Sequence, residues 1–233
     1  MRFKITLSPN DTLIPYNYND MIINYIHAVI GKDNSFHDKK SLYSISDLYH
    51  PYDSKGTPKG IDFKSGAYLF VSSADNEFTT KFLSNVYDHP VLFNGMKIEL
   101  IELVQMYPQK IADNTYKYVV QSPVLLQNKI KKDDGKSFTN FYTYDDDDHP
   151  IYMKRILLSK LDELNIEYDP NDIEIYFDSS CRNKHIKWIK VHGINNKCSS
   201  CPVILKTTNS QIPQILFDIG VGHSTGCCFG FVK

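Results

Sequence analysis

The chain has 233 residues, which is enough for one large domain or two small ones, and either arrangement can bury a core without disulfide bonds. Hydrophobic residues make up 42% of the chain and charged residues 23%, which excludes a disordered or collagen-like protein. The formal net charge of −1 at pH 7 excludes a strongly basic field over the whole protein, so any binding of nucleic acid must rest on local basic patches.

The N-terminal residues, 1–11, alternate like a strand and lack the apolar core of a signal peptide. No apolar run in the sequence is long enough to span a bilayer. The chain has five cysteines, an odd number, and without a secretion signal we expect them to be reduced thiols. These features favour a cytoplasmic protein.

The first half of the chain predicts alternating strands and helices. Two of its segments, one after Pro15 and one before Val86, repeat apolar residues at helical spacing. The predicted elements are a strand at 2–7, a helix that ends near residue 31, strands at 42–45 and 66–72, a helix at 77–86 and a strand at 96–104. This order is the split βαβ pattern of a ferredoxin-like domain.

A second and less regular round of elements follows. It begins with a strand at 116–126 and a hairpin whose tip is the turn-prone pair Asp134 and Gly135. A helix follows Pro150, and the remaining elements are strands at 173–178, 186–191 and 203–206, a short helix at 212–217 and a last strand at 228–232. The sequence therefore predicts an α+β protein with two tandem ferredoxin-like (RRM-like) domains, residues 1–115 and 116–233.

The glycine-rich segment, residues 220–232, is the most specific feature of the sequence. It follows an apolar helix and reads GVGHSTGCCFGFV. Glycines at this density let backbone N–H groups approach an anion, although tight turns with positive φ use the same residues. An apolar helix, a glycine-rich loop and a closing aromatic-glycine-aromatic strand in this order resemble the CRISPR repeat-processing endoribonucleases.

Segments along the whole chain agree with this resemblance in their order and local composition. They are residues 1–5, 26–30, 36–37 ahead of 42–46, 65–66 and 122–124. Proteins of that family belong to the RAMP superfamily and have tandem ferredoxin-like domains. The resemblance therefore implies the same fold that the order of elements predicts.

The resemblance also implies a reaction, the cleavage of CRISPR repeat transcripts without a metal or a cofactor. A ribose 2′-hydroxyl attacks the adjacent phosphate and leaves a 2′,3′-cyclic phosphate and a 5′-hydroxyl. Such a step needs a general base, a general acid, and donors or a fixed cation for the charge on the phosphorane. The implied partner is CRISPR repeat RNA; an effector complex and a homodimer are left open, and no membrane is expected.

Histidine can be the acid or the base because its ordinary pKa lies near neutrality. His37 falls where the family's pattern has its histidine, and it is the main catalytic candidate. His27 is the second, since it falls where many relatives carry a tyrosine and lies at the edge of the apolar stripe of its helix. Lys39 or Lys40, with Lys40 favoured, would hold the scissile phosphate. Tyr25 is a weaker candidate, with packing as the alternative role.

Three groups of residues are predicted to bind RNA. They belong to the glycine-rich segment, to a basic stretch around Trp188 in which alternation places Lys184 and Lys190 on one strand face, and to the predicted hairpin. The candidates are Gly220, Gly222, His223, Ser224 and Gly226 in the first group, Arg182, Lys184, Lys187 and Lys190 in the second, and Lys129, Lys131 and Lys132 in the third.

Two other clusters suggest a metal but favour a different interpretation. A C-x-x-C at Cys198 and Cys201 and the adjacent pair Cys227 and Cys228 resemble zinc ligands. A structural zinc site normally has two spaced pairs, and adjacent cysteines are poor co-ligands. The four aspartates at 145–148 stand ahead of a helix, where they complement its dipole. We therefore assign no metal.

A non-catalytic RNA-binding subunit with the same fold is the alternative function, and a zinc-dependent binding module is a third. The enzyme differs from the subunit in bringing His27, His37 and Lys40 together around one phosphate. Histidines that point into a basic cleft would favour the enzyme.

Overall fold

The computed structural model describes residues 1–31, 36, 40–50, 54–131 and 137–233. Within these residues the chain forms two four-stranded antiparallel sheets and three two-stranded ribbons. Helices pack against each of the larger sheets and form a separate apolar core with it. None of the described helices is long and apolar enough to cross a membrane.

The N-terminal half contains every element that the sequence predicts there, and one further hairpin. Its elements are β1 (Arg2–Leu7), α1 (Asn19–Ile30), β2 (Tyr43–Ile45), β3 (Ser54–Thr57), β4 (Gly60–Phe63), β5 (Ala67–Ser73), α2 (Asn76–Asn85) and β6 (Ile98–Leu103). The strand order β2-β5-β1-β6 is that of a ferredoxin-like sheet, and the hairpin β3–β4 lies outside it.

Local chemistry explains the ends of both helices in this half. The carboxylate of Asp75 accepts hydrogen bonds from the backbone N–H groups of Glu77 and Phe78 at 2.7 and 3.3 Å, so it caps the start of α2. Helix α1 ends before Gly31, whose φ of 87° is favourable for glycine and strained for other residues.

The C-terminal half repeats this plan with two additional ribbons. Its elements are β7 (Gln109–Ala112), β8 (Thr115–Tyr118), β9 (Leu126–Lys131), β10 (Ser137–Tyr142), α3 (His149–Glu163), β11 (Glu174–Phe177), β12 (His185–Val191), β13 (Ile194–Ser200), β14 (Val203–Lys206) and α4 (Ile212–Ile219). The sheet has the order β11-β14-β8-β7, and β9–β10 and β12–β13 form separate ribbons. The predicted hairpin tip, Asp134 and Gly135, lies outside the described residues.

Two predicted strands differ from the structure. The strand predicted at 116–126 is divided between β8 and β9. The last strand, predicted at 228–232, is reduced to one bridge between Val120 and Val232, and β7 occupies the sheet edge beside β8. The physical reason is a φ of 60° at both Cys228 and Gly230, which an extended strand does not allow.

The two cores are joined by a third, smaller cluster, which we call the joining cluster. It contains Ile23 of α1 together with Leu125, Val191, Cys198 and Phe229 from the other half. The predicted domain boundary near residue 115 stays a prediction, and β7 on its N-terminal side pairs within the second sheet.

Arg2 links the start of β1 to the end of the chain. Its guanidinium lies 3.8 Å from the ring centroid of Phe217 and 4.4 Å from that of Phe231. Its nitrogen atoms donate to the carbonyl oxygens of Val232 at 2.8 Å and Phe217 at 2.5 Å. The side chain is 3% exposed. Burial lowers the pKa of Arg2 to about 10, and the nearby negative charge of Asp218 opposes that shift.

We expect Arg2→Ala to lower the free energy of unfolding by at least about 3 kcal/mol, because charge-assisted hydrogen bonds and cation–π contacts are lost from a buried site. Arg2→Lys should recover only part of this, since an ammonium lacks the planar fork of donors. Lys4→Ala is the control on the same strand, where a partly exposed pair with Glu102 should contribute less than about 1 kcal/mol. Denaturant titrations measure all three, and equal losses at positions 2 and 4 would contradict the role of Arg2.

Candidate active site

A basic cleft opens where α3 meets the residues before β2 and the glycine-rich segment. Its volume is about 240 Å³. The residues that line it are Lys40, Ser41, Arg155, Ile156, Ser159, Lys160, Gly222, His223 and Ser224. No acidic residue is among them, and within the described part of the chain none of its basic side chains forms an ion pair. Such a cleft attracts an anion.

Lys160 extends into this region from the buried face of α3. The side chain is 3% exposed, and its Nζ donates to the carbonyl oxygen of Ile219 at 3.3 Å and to Oγ1 of Thr225 at 3.1 Å. Burial lowers the pKa of Lys160 from 10.5 to about 7, because the ammonium loses its hydration. A protonated lysine has three N–H donors, so one is left for a ligand in the cleft.

His223 is a neutral donor in the same cleft. Its Nδ1 accepts a hydrogen bond from the backbone N–H of Gln127 at 3.3 Å, which places the proton of the neutral ring on Nε2. Burial, followed by the positive charges of Lys160 and Arg155, lowers the pKa of His223 to about 4. The ring is therefore uncharged at pH 7.

Close packing holds the glycine-rich segment against the N-terminal half. Oγ1 of Thr225 donates to the carbonyl oxygen of Tyr43 at 2.7 Å. A Cβ atom at Gly226 would lie 2.6 Å from the Tyr43 ring, so only glycine allows this approach. Gly222 lines the cleft, whereas Gly220 and Gly226 are buried in positions that serve packing. RNA contacts by these glycines stay predictions.

The candidates before β2 are only partly described. Lys40 lines the cleft, and its Nζ donates to the carbonyl oxygen of Ser159 at 3.3 Å. His37 and Lys39 lie outside the described residues. The structure therefore places the favoured lysine in the cleft, and the main catalytic candidate stays a prediction.

The two candidates on α1 face different surroundings. His27 is half-buried in the last turn of α1, one turn after Ile23 of the joining cluster, and it is not among the residues that line the cleft. Tyr25 is buried in the N-terminal core, and its hydroxyl donates to the carbonyl oxygen of His89 at 2.9 Å. Burial raises the pKa of Tyr25, and the side chain does not line the cleft. The Tyr25 side chain therefore packs in the N-terminal core.

The basic stretch around Trp188 lies on a ribbon and not in the second sheet. Lys187 and Lys190 are exposed on β12, and Arg182 is exposed before it. Lys184 was predicted to share a strand face with Lys190, but it precedes β12 and donates to the carbonyl oxygen of Ser179 at 2.5 Å. Three of these four cations are thus exposed to solvent, and their contact with RNA stays a prediction.

The hairpin lysines are described in part. Lys129 is exposed on β9, Lys131 is the last residue of that strand, and Lys132 lies outside the described residues. Cys198 and Cys201 are buried free thiols. Across the described ranges, no three His, Cys, Asp or Glu side chains group closely enough to hold a metal ion.

Arg155 and Lys160 line the cleft but were not predicted from the sequence. For Lys160 a signal was present, because it follows Met153 by two helical turns and so lies on the apolar stripe of α3, where a lysine is unusual. For Arg155 the sequence held no signal. It is an exposed helix residue, and only the fold brings it near the glycine-rich segment.

The family model for CRISPR associated protein Cas6, C-terminal, matches residues 105–233. No curated protein matches the chain.

Three solved structures are similar over the full length of this chain. A Cas6-related protein of Pyrococcus furiosus is 18% identical with a TM-score of 0.84, covering 100% of this chain and 97% of that one. A CRISPR associated protein Cas6 is 22% identical with a TM-score of 0.80 and coverages of 100% and 98%. A RAMP protein that binds different RNA substrates is 17% identical with a TM-score of 0.83 and the same coverages.

At these identities the structural likeness shows the fold alone, and it confirms the tandem ferredoxin-like prediction. The family model matches more than half of the chain. The chain therefore belongs to the Cas6 family of CRISPR repeat-processing proteins.

Proposed function

We propose that this chain cuts CRISPR repeat RNA in the basic cleft, by attack of a ribose 2′-hydroxyl on the adjacent phosphate and without a metal. The observation that carries the proposal is a cleft lined by cations and no acid at the junction of two ferredoxin-like halves. Lys40 lines it and is three residues from His37 in the sequence. Membership in the Cas6 family supports the same substrate.

Different side chains are proposed for acid–base catalysis and for binding the phosphate. His37 is proposed as general base or acid, and His27 as its partner, because imidazole can exchange a proton near neutral pH. Lys40, the third N–H of Lys160 and the Nε2–H of His223 are proposed to bind the phosphate oxygens. These donors offset the charge that develops on the phosphorane. The products are a 2′,3′-cyclic phosphate and a 5′-hydroxyl.

RNA beyond the cleft is proposed to follow the exposed cations of the ribbons. Lys187 and Lys190 are exposed on the ribbon β12–β13, Arg182 is exposed just before it, and Lys129 is exposed on β9. A net charge of −1 gives no general attraction, so these local patches must supply the contacts to the RNA backbone. The same surfaces would serve a non-catalytic subunit, and a cleavage assay separates the two functions.

We expect the wild-type protein to cut repeat RNA from its own locus once, in excess chelator, and His37→Ala to lower the single-turnover rate by about 100-fold or more. Mass spectrometry of the fragments should find the cyclic phosphate. His27→Ala should be slowed as well, and His50→Ala, a change at an exposed loop histidine, is the control that should cut normally.

Binding of repeat RNA without cutting would favour the alternative function, a non-catalytic RNA-binding subunit. Normal cutting by His37→Ala would keep the enzyme but move the acid–base chemistry to His27 or another residue. Loss of cutting in chelator that returns with added metal would remove the metal-independent step from the proposal.

We expect Arg155→Gln to weaken repeat binding and to reduce the slope of log affinity against log salt by about 1, because one phosphate contact is lost. Lys110→Gln on β7 is the matched control, since this cation is 53% exposed and does not line the cleft. Titrations at several salt concentrations measure both. An unchanged slope for Arg155→Gln would show that RNA does not reach the cleft.

We expect RNA binding to take up protons at pH 7, because a phosphate near Lys160 raises its pKa above the free value of about 7. Calorimetry in two buffers of different ionisation enthalpy measures the uptake, which should be at most roughly half a proton from this group. Lys160→Arg keeps the charge but does not titrate, so it should bind RNA without that uptake. The same proton uptake in Lys160→Arg would contradict a contact between Lys160 and an RNA phosphate.

A further inference from the structure

A second cavity lies between the residues before α1 and the ribbon β12–β13. Its volume is about 460 Å³, and Tyr16, Asn19, Asp47 and Lys187 are among its lining residues. None of these four lines the basic cleft. The cavity therefore belongs to a different part of the surface and is within the size range of small-molecule sites.

Tyr16 provides an exposed aromatic ring in a fixed position. The residue is 59% exposed, yet its hydroxyl donates to the carbonyl oxygen of Thr57 at 2.8 Å. An anchored ring loses little conformational freedom when a flat ligand stacks on it. Such rings are the platforms on which unpaired bases stack in proteins that bind single strands.

Two polar side chains beside this ring lack hydrogen-bond partners. Asn19 is 6% exposed, and its Nδ2 atom donates to no atom of the described chain. Asp47 is half-buried, and its carboxylate accepts no hydrogen bond from the described residues; burial raises the pKa of Asp47 to about 7, and the charge of Lys187 opposes this. Buried groups left unpaired are unfavourable, so a ligand that supplies the missing partners gains affinity.

We propose that this cavity binds one unpaired nucleotide of RNA and selects guanine. The base stacks on Tyr16, the Asp47 carboxylate accepts the N1–H and N2–H of guanine, and Nδ2 of Asn19 donates to its O6. Lys187 lies beside the nucleotide's phosphate. The inference rests on the proposed function, because repeat RNA is the strand that would supply the nucleotide.

The hydrogen-bonding groups of the four bases explain why the cavity would select guanine. Guanine presents two adjacent N–H donors, which match the two oxygens of a carboxylate. Adenine and cytosine present one amino group beside a ring acceptor. Uracil presents one N–H between two carbonyl oxygens, which a carboxylate repels. An ionised Asp47 therefore favours guanine over the other three.

Fluorescence anisotropy at pH 8, where Asp47 is ionised, tests this with short uridine-rich RNAs of equal length that carry one central G, A, C or U. We expect the wild type to bind the G strand about ten-fold more tightly than the U strand, as good bidentate base contacts do. Asp47→Asn should reduce this ratio to about 1. The ratio is the readout, because removing a carboxylate favours all RNAs equally.

Matched controls distinguish a loss of base selectivity from a folding defect. Tyr16→Ala should weaken binding of all four strands by about ten-fold through lost stacking, and Tyr87→Ala, at a tyrosine that is 65% exposed, should not. Inosine in place of the central guanosine removes the N2 amino group and should lower the affinity of the wild type by roughly five-fold, so one test needs no variant.

A wild type without preference for guanine, or an unchanged preference in Asp47→Asn, would overturn the inference. Failure of the guanine site can be distinguished from failure of the proposed function. A guanine preference in a protein that does not cut repeat RNA would leave the cavity assigned and remove the enzyme. Cutting by a protein that binds all four strands alike would keep the enzyme and remove the cavity.

Discussion

The contact between Arg2 and the end of the chain fastens β1 of the first ferredoxin-like half to α4 and the last residues of the second. Its guanidinium is enclosed by the rings of Phe217 and Phe231, and the carbonyl oxygens it binds belong to α4 and to the last residues. A buried cation requires several partners at once, so the arrangement tolerates few alternatives. The basic cleft lies between the same two halves, where α3 meets the residues before β2.

The cleft combines burial and positive charge in a way that suits a transient anion. Lys160 and His223 both have lowered pKa values because the same surroundings remove water from the charged form. Their hydrogen bonds within the protein are to neutral groups, and no carboxylate lines the cleft to balance a positive charge. A phosphate supplies the missing charge, and the low local dielectric strengthens the attraction. Binding energy is thus available where the proposed reaction needs it.

The sequence predicted much of the fold because local signals and packing agree in the first half. Asp75 caps α2 where the helix was predicted, and the strand order follows from the pattern of elements. The prediction of a last strand at 228–232 was wrong because the positive φ of Cys228 is set by tertiary packing and has no local signal in the sequence. The candidate site was predicted in part: Lys40 and His223 line the cleft, while Arg155 joins them only through the fold.

The two proposed RNA contacts lie at related positions along α1. Asn19, at the start of this helix, borders the second cavity, and His27 is in its last turn. The two residues are eight positions apart, which is about 12 Å along the helix axis. One strand can occupy the cavity and present its scissile phosphate near the end of α1 only if a few nucleotides separate the two. A selected guanine would then fix the register of the RNA, so that recognition near one end of the helix decides which phosphate reaches the proposed catalytic residues near the other.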